Sequence, residues 1–273
     1  MSGVAIITGA SSGLGEALAL ELHQRGWKVG LIARREPQLL ALVEKMGTNA
    51  AYAIADVVDA AATTAAVRAL EDSLGMCDLM VANAGIGTFT TARNWDTEAI
   101  TKVLKVNTLG AIHAVGAVIP DMVERGSGHV AVVSSVAGYR GLPGFGAYSS
   151  SKAAVSNFFE ALRGELRPRG IAVTSIHPGF VATPLTDVNQ FDMPFIISAE
   201  KAARIMAKGL EKQKKQINYP WQMAVVMGLA RHLPVWLWDA IIKVGNPVGR
   251  KGHPPTKSSA RDTIDGEKKE GDS

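Results

Sequence analysis

Residues 4–15 read VAIITGASSGLG, and this stretch decides which fold class the sequence predicts. Its first four residues form a short apolar run rich in β-branched side chains, which is typical of a buried strand. A glycine-rich turn follows, and residues 16–25 have helical character. Farther along the chain, apolar strands alternate with helical segments at intervals of roughly 25 to 40 residues. This alternation predicts a single α/β domain built on a doubly wound parallel sheet flanked by helices.

The three glycines of this turn are spaced as a dinucleotide-binding turn requires. Gly9 permits a tight turn, Gly13 lets the backbone approach a pyrophosphate, and Gly15 allows the helix to pack closely on the strand. The N-terminus of the following helix favours the negative charge of the pyrophosphate, and the intervening serine hydroxyls add donors. We therefore expect cofactor contacts from Gly9, Ser11, Ser12, Gly13, Leu14 and Gly15.

A second group of residues lies in the middle of the chain. Tyr148 and Lys152 are four positions apart in YSSSK, a spacing that stacks two side chains on one face of a helix. Because a nearby ammonium stabilises a phenolate, we expect Lys152 to lower the pKa of Tyr148 from its ordinary value of about 10. Ser135 follows the apolar run 129–133, which places it at the carboxyl end of a buried strand, where ligands bind in open α/β sheets. The three residues are candidates for proton transfer.

The glycine spacing T-G-x-x-x-G-x-G, taken with Ser135, Tyr148 and Lys152, resembles the short-chain dehydrogenase/reductase family. Further motifs match in the same order and without a gap from residue 4 to about residue 185. The resemblance implies a Rossmann-like fold and additional cofactor contacts. These come from Asp56, Val57, Asn83, Ala84, Gly85, Tyr148, Lys152, Pro178, Gly179, Val181 and Thr183.

The resemblance also implies a catalytic set of Asn107, Ser135, Tyr148 and Lys152. The resemblance implies that a hydride passes between C4 of the nicotinamide and a carbonyl or alcohol carbon, and that Tyr148 exchanges a proton with the oxygen on that carbon. Ser135 orients the carbonyl oxygen, Lys152 also holds the nicotinamide ribose, and Asn107 anchors a water that links Lys152 to solvent. Thr183 and the Val181 backbone bind the carboxamide.

The residues after the second strand bear on which nicotinamide cofactor binds. An acidic residue there usually binds the ribose 2′-hydroxyl of NAD, whereas arginine suits the 2′-phosphate of NADP. Here the strand 29–32 is followed by Ala33, Arg34 and Arg35. Arg34 offers a planar fork of donors to a phosphate, and Arg35 is a second candidate. We expect NADP(H) to be preferred; the alternative is that both arginines are solvated and Glu36 takes the acidic role, which suits NAD(H).

Composition excludes several other classes of protein. The chain has 273 residues, 47% of them hydrophobic, which suits one large domain with a buried core. Its single cysteine, Cys77, rules out an intrachain disulfide and fits a reducing, cytoplasmic compartment, and the N-terminus has no basic leader with an apolar run. The six histidines are scattered, so we expect no metal. The net charge is +4, but no aromatic-lined basic groove accompanies it, and we expect no nucleic-acid partner.

The C-terminal third departs from the family pattern, in which a Gly-rich end helps to form a tetramer. We divide the chain into a cofactor-binding and catalytic domain (1–218), an apolar Trp-rich helical extension (219–250) and a polar, disordered tail (251–273). The extension holds three of the five tryptophans, but charged residues interrupt it too often for a membrane span. Two interpretations stay open: the helices cap the substrate pocket or bury against another subunit, or they lie in a membrane interface. A homodimer or homotetramer is expected.

Apolar residues are expected to line the substrate pocket, notably in the loop 184–198, in the segment 138–142 and at Phe89. Such a lining favours an apolar ketone, aldehyde or secondary alcohol, so the leading hypothesis is an NADP(H)-dependent carbonyl reductase or alcohol dehydrogenase. A catalytically silent protein that senses NADPH is the alternative, although a sensor does not require the whole catalytic set. An extended-family epimerase or dehydratase is disfavoured because its glycine spacing differs and its substrate domain is larger.

Overall fold

The structure is a computed structural model, and it describes residues 3–187 and 192–245. The predicted fold is confirmed, since seven parallel strands form one sheet in the order β3-β2-β1-β4-β5-β6-β9 with helices on both faces. The strands are β1 (Val4–Thr8), β2 (Lys28–Ala33), β3 (Ala50–Ile54), β4 (Cys77–Ala82), β5 (Gly128–Val133), β6 (Ile171–Pro178) and β9 (Gln216–Tyr219), while β7 (Val181–Ala182) and β8 (Ile197–Ser198) form a separate pair.

Ten α-helices connect or follow these strands in the described part of the chain. They are α1 (Gly13–Gln24), α2 (Glu36–Met46), α3 (Ala60–Leu74), α4 (Thr97–Leu104), α5 (Gly110–Gly116), α6 (Ile119–Arg125), α7 (Gly146–Leu166), α8 (Ala199–Glu211), α9 (Trp221–Arg231) and α10 (Val235–Gly245). Helix α1 begins three residues earlier than the sequence predicts, because the end of the glycine-rich turn already belongs to its first turn.

Both faces of the sheet are covered by helices, which explains why its central strands are continuous apolar runs. Every residue of β1 is buried. One hydrophobic cluster joins the sheet to α1, α2 and α8, and the other joins it to α3, α5 and α7. Each fully buried Leu or Ile in these clusters contributes about 1.5–3 kcal/mol relative to an exposed side chain.

The strand order reverses between β1 and β4, and this reversal positions the site. Strand β1 pairs with β2 on one side and with β4 on the other, and all three run parallel. The connections that leave β1 and β4 therefore diverge to opposite faces and open a crevice at the carboxyl ends of the strands. The glycine-rich turn leaves β1 at this crevice, and Asn83 leaves β4 there.

Residues 97–125 form three helices and a π-helical segment, Lys105–Leu109. By length and composition Thr97–Arg125 could cross a membrane, but half of its most apolar window is buried inside the fold. Helix α5 packs against β4 and α3. We therefore interpret this stretch as part of the protein core.

Helices α9 and α10 form the predicted C-terminal helical extension. Helix α9 follows β9 directly and packs against it and against the turn Val136–Gly138. The last residues of the extension, 246–250, and the predicted tail, 251–273, lie outside the described residues. The domain boundary at residue 218 stays a prediction.

Candidate active site

The glycine-rich turn is too crowded for side chains at two of its glycines. Gly9 has a φ of +66°, and a Cβ atom there would lie 2.7 Å from the Cα of Ala84. A Cβ atom on Gly15 would collide with the carbonyl oxygen of Gly9. Gly13 also has a positive φ of +61°. A Cβ atom on Gly13 would lie 3.3 Å from the Cβ atom of Thr183. The turn thus brings its backbone close to two other segments of the site.

The first turn of α1 is available to an anion. Ser12 stands at the N-cap, but its side chain makes no capping hydrogen bond to the helix. Uncapped amides at a helix N-terminus donate to phosphate, and the helix dipole adds to the attraction. The side chain of Leu14 packs against the hydrophobic cluster, so only its backbone faces the turn. Together with the missing Cβ atoms, these features fit the pyrophosphate of a dinucleotide.

Two arginines border this turn. The Arg35 guanidinium donates to Ser11 Oγ at 2.9 Å and to Ser12 Oγ at 2.6 Å. Arg34 lies 3.4 Å from an Asp56 carboxylate oxygen, and both side chains are well exposed. Glu36, the alternative acidic partner, accepts a hydrogen bond from the Tyr52 hydroxyl at 3.1 Å. The Arg35 guanidinium therefore stands at the edge of the turn, the Arg34 guanidinium is beside Asp56, and the Glu36 carboxylate is engaged by Tyr52.

The segment Asn83–Gly85 joins the glycine-rich turn to the predicted catalytic residues. Asn83 Nδ2 donates to the carbonyl oxygens of Thr8 and Gly9, and the Ala84 amide donates to Thr8 Oγ1. A Cβ atom on Gly85 would lie 3.3 Å from Lys152 Nζ and 3.4 Å from Asn107 Oδ1. Glycine at position 85 thus leaves space directly beside Lys152.

Asp56 and Val57 differ in what they present to the crevice. Asp56 is turned toward Arg34, and its other carboxylate oxygen accepts the Val58 amide at 3.1 Å. Val57 is buried against Gly110, and its carbonyl oxygen is hydrogen-bonded to His113 Nδ1 at 2.9 Å. Of this predicted pair, the Asp56 side chain therefore lies at the rim and the Val57 side chain belongs to the core.

The segment after β6 lies across the turn from α1. Ser135 Oγ donates to the Pro178 carbonyl at 3.3 Å, and the Gly179 amide donates to the Tyr219 carbonyl at 2.6 Å. The Val181 carbonyl accepts from Thr186 Oγ1 at 2.6 Å, while Thr183 faces Gly13. Two motifs about 170 residues apart in the sequence, the glycine-rich turn and the segment containing Thr183, are thus in contact.

Tyr148 and Lys152 lie on the same face of α7, one turn apart, as their spacing predicts. Lys152 Nζ lies 5.7 Å from the centroid of the Tyr148 ring and donates to the Val133 carbonyl at 2.8 Å. Ser135 follows β5, and its hydroxyl hydrogen-bonds with Tyr148. The strand end of β5 and the first turns of α7 therefore bring Ser135, Tyr148 and Lys152 together.

The expectation that Lys152 lowers the pKa of Tyr148 is wrong for this structure. Burial raises the pKa of Tyr148 above 10, and the hydrogen bond with Ser135 offsets only part of that effect. The Lys152 ammonium is turned to the Val133 carbonyl, and its own burial lowers its pKa to about 8. Burial dominates here because the charged forms of both side chains lose hydration.

Asn107 lies in the π-helical segment, where the regular helical hydrogen-bond pattern is interrupted. Its Oδ1 accepts from the Ile86 amide at 2.8 Å, and its Nδ2 donates to the Ile86 carbonyl at 2.9 Å and to Ser151 Oγ at 3.0 Å. The side chain is almost completely buried. Asn107 thus joins the loop after β4 to α7, on which Lys152 lies.

Sequence reasoning missed two serines that hold the catalytic helix. Ser134 Oγ donates to the Lys152 carbonyl at 2.8 Å, and Ser151 Oγ donates to the Tyr148 carbonyl at 2.7 Å. Both serines stand next to predicted catalytic residues, but neighbouring serines are too common in helices and turns for position alone to identify them.

Apolar groups surround Tyr148 on the side of the C-terminal segments. A Cβ atom on Gly87 would lie 3.5 Å from Leu185 Cδ1 and 4.0 Å from Tyr148 Cδ2, so these two side chains are close neighbours. The Phe89 and Phe145 rings pack edge to face at 5.4 Å. Met223 of α9 packs on Gly179. A cavity of about 450 Å³ lies nearby against the first turn of α7, but its lining does not include Tyr148, so we do not assign it as the reaction site.

No group of three His, Cys, Asp or Glu side chains that could hold a metal ion occurs among residues 3–187 and 192–245. The expectation that the site uses no metal stays a prediction.

The fold, the glycine-rich turn and the gathered polar side chains define a dinucleotide-binding α/β protein. Its sequence matches the family model of short chain dehydrogenases over residues 3–193. It is 45% identical to an uncharacterized oxidoreductase of Myxococcus xanthus, over 86% of this chain and 94% of that protein. The chain therefore belongs to the short-chain dehydrogenase/reductase family, as its motifs indicate.

Two solved structures extend this comparison to the cofactor. A short-chain dehydrogenase/reductase from Burkholderia phymatum in complex with NAD superposes with a TM-score of 0.77 at 25% identity, covering 84% of this chain and 92% of that one. An alcohol dehydrogenase from Thermococcus sibiricus complexed with 5-hydroxy-NADP has a TM-score of 0.70 at 26% identity, covering 80% and 96%. The protein is thus an NAD(P)-dependent oxidoreductase.

Proposed function

We propose that the protein transfers a hydride between NADP(H) and an apolar ketone, aldehyde or secondary alcohol, with Tyr148 as general acid and base. One observation carries this proposal. Ser135, Tyr148, Lys152 and Asn107 converge at the carboxyl end of the sheet, beside a turn that fits a dinucleotide. When bound, the nicotinamide supplies or accepts the hydride.

In the reductive direction Tyr148 donates its hydroxyl proton to the substrate oxygen as negative charge develops there. Ser135 lies at the end of β5, close enough to Tyr148 to lower its pKa, and its hydroxyl can turn from the Pro178 carbonyl to donate to the same substrate oxygen. Such donors stabilise an oxyanion most effectively where water is excluded. The partly buried position of Tyr148 meets that condition.

When cofactor and substrate are bound, Lys152 is proposed to turn from the Val133 carbonyl toward Tyr148, and in that position it stabilises the phenolate left after the proton transfer. The ammonium lies within 5.7 Å of the ring centroid, and a modest side-chain rotation toward the open space beside Gly85 brings it closer to the crevice. Asn107 fixes the helix that bears Lys152 through its bond to Ser151. The water that Asn107 is expected to anchor stays a prediction.

The apolar nature of the substrate follows from the groups beside Tyr148. Leu185, Phe89 and Met223 come from three different segments, and all three lie close to the site. A carbonyl compound with apolar substituents gains buried area against such groups at about 25 cal/mol per Å². The Thermococcus sibiricus relative is itself described as an alcohol dehydrogenase, which supports the substrate class.

The proposed preference for NADP(H) rests on Arg35, which donates to Ser11 in the glycine-rich turn, and on its neighbour Arg34, which is exposed and lies 3.4 Å from Asp56. Arg34→Asp is expected to weaken NADPH binding about tenfold or more relative to NADH, because the variant repels the 2′-phosphate and gains a partner for the 2′-hydroxyl. Fluorescence titration with both nucleotides gives the ratio of dissociation constants. Arg167→Asp, an exposed arginine after α7, is the matched control. An unchanged ratio in Arg34→Asp contradicts the assignment.

The reaction itself is tested with a panel of ketones, aldehydes and secondary alcohols of graded polarity, monitored by NADPH absorbance. We expect turnover that rises with apolar substituents and is weak for charged carbonyl compounds. NADPH binding without turnover of any member would instead favour the alternative, a silent NADPH-sensing protein.

Assembly and location are also proposals. We propose a homodimer or homotetramer in the cytoplasm, with the C-terminal extension free to contact a membrane surface. The single cysteine, Cys77, forms no intrachain disulfide, which is compatible with a reducing compartment.

A further inference from the structure

The exposed apolar side chains of this protein are concentrated on one edge of the fold. Of the nineteen large hydrophobic residues that are exposed in the described part of the chain, twelve lie in three segments: 89–95, 185–187 with 192–196, and 221–241. These segments follow the carboxyl ends of β4, β6 and β9. Because the strands are parallel, all three begin at the same edge of the sheet, which is also the edge that bears Tyr148. We call this surface the apolar rim.

The apolar rim adjoins the site. Leu185 is a neighbour of Tyr148 across Gly87, and Met223 of α9 contacts Gly179 in the segment that faces the glycine-rich turn. Helix α10 is tied to the turn after β5 through Trp238, which lies 5.4 Å from the Arg140 guanidinium. Whatever covers the apolar rim therefore controls how a substrate reaches Tyr148.

Exposure on the rim is greatest at its indoles and at one face of α9. Trp95, Trp221 and Trp236 are each about 70% exposed, and Leu229 is 67% exposed. Residues 217–238 contain no Asp or Glu, and their basic side chains are Arg231 and His232. Exposed tryptophan at the edge of an apolar surface, with a cation on α9 and a single carboxylate, Asp239, on α10, is typical of an interfacial helix.

Three occupants could cover such a surface. Residues 246–273 offer little apolar surface to cover twelve exposed apolar residues, since their large aliphatic side chains are Val248 and Ile264. A second copy of the protein would bury the rim permanently and block the approach to Tyr148. A lipid bilayer covers the same surface but is fluid, so an apolar molecule can pass from it into the site.

We infer that the apolar rim docks on a lipid bilayer and that the substrate is a lipophilic carbonyl compound or alcohol dissolved in that bilayer. The substrate part of this inference rests on the proposed function, whereas the docking part does not. Binding strength is expected to scale with the apolar area buried in the interface and to increase modestly with anionic lipid, because α9 carries one cation, Arg231, and no carboxylate.

The test uses the full-length protein and vesicles of phosphatidylcholine, alone or mixed with phosphatidylglycerol. The rim variant is Val226→Ser/Leu229→Ser/Trp236→Ser, and the control variant, Leu40→Ser/Met76→Ser/Val123→Ser, removes three exposed apolar side chains outside the rim. We expect the wild type and the control to sediment with vesicles and the rim variant to bind at least about tenfold more weakly. On a lipophilic ketone carried in vesicles the rim variant should be slow, yet on a water-soluble ketone it should match the wild type.

Each outcome is informative. Equal sedimentation of the rim and control variants, or none by the wild type, overturns the docking. A wild-type dimer that becomes monomeric in the rim variant, with no vesicle binding, overturns it in favour of a second copy. If none of the proteins turns over the water-soluble ketone, the proposed function is refuted. The sedimentation result then decides docking by itself. If the rim variant does not fold, brominated lipids provide a readout on the wild type: docking predicts quenched tryptophan fluorescence, and undiminished fluorescence contradicts it.

Discussion

Replacing Tyr148 with phenylalanine is expected to lower turnover by at least ~10²-fold while NADPH still binds. The variant keeps the ring, which neighbours Leu185 across Gly87, but removes the one hydroxyl that hydrogen-bonds with Ser135 in front of the crevice. Cofactor affinity should persist, because the glycine-rich turn and the arginines beside it do not contact this hydroxyl. Steady-state rates with a water-soluble ketone and a fluorescence titration with NADPH measure the two quantities separately.

Tyr52→Phe is the matched control for this substitution. It removes a phenolic hydroxyl that hydrogen-bonds to Glu36 at the start of α2, away from Tyr148 and Ser135. Wild-type turnover in Tyr52→Phe together with lost turnover in Tyr148→Phe supports general acid catalysis by Tyr148. Near-normal turnover in Tyr148→Phe rules out the assigned role.

Replacing Lys152 with methionine is expected to lower turnover by at least ~10²-fold, as for Tyr148→Phe. The same substitution is expected to raise the free energy of unfolding. Turnover falls because no cation remains to stabilise the Tyr148 phenolate. Stability rises because the folded protein buries the Lys152 ammonium, which lowers its pKa to about 8 from about 10.4 in the unfolded chain. Below pH 8 this penalty is fully present and is on the order of 3 kcal/mol, partly offset by the hydrogen bond to the Val133 carbonyl.

The sign of the pH dependence follows from proton uptake. Between pH 8 and 10.4 the unfolded chain holds the proton on Lys152 more strongly than the folded protein does, so wild-type stability gains on that of the variant as the pH rises. Urea denaturation of both proteins at pH 7 and pH 10 measures the difference in the free energy of unfolding. Lys28→Met is the control, since Lys28 also donates to a backbone carbonyl, that of Leu74, but lies far from Tyr148. A difference that stays constant with pH contradicts the assigned pKa.

The sequence was sufficient to predict the turn and the sheet because their requirements are local. Gly9 must adopt a positive φ and Gly15 must lie against a carbonyl oxygen, and both needs are visible as glycines after an apolar run. The convergence of Ser135, Tyr148 and Lys152 could also be predicted, since each follows a parallel strand or begins the helix after one, and these ends meet at one edge.

The charge states and surface contacts could not be predicted in the same way. The pKa of Tyr148 depends on how deeply α7 is buried and on where the Lys152 ammonium points, and neither is encoded in the four-residue spacing. The contact of Arg35 with Ser11 and Ser12 depends on the approach of two distant turns. Which faces of α9 stay exposed depends on the surface that the sheet edge offers them, so sequence alone left the pocket-cap and membrane interpretations open.

The central claim is that a hydride passes directly between the nicotinamide and a carbonyl carbon beside Tyr148. The most direct measurement is reduction of a turned-over ketone with NADPH that carries deuterium at both C4 positions, followed by mass spectrometry of the alcohol. The account predicts one deuterium atom bonded to the carbinol carbon of the wild-type product. Tyr148→Phe should form the same labelled alcohol only at its low residual rate. An alcohol without deuterium at that carbon, or equal labelling rates in the two proteins, would contradict it.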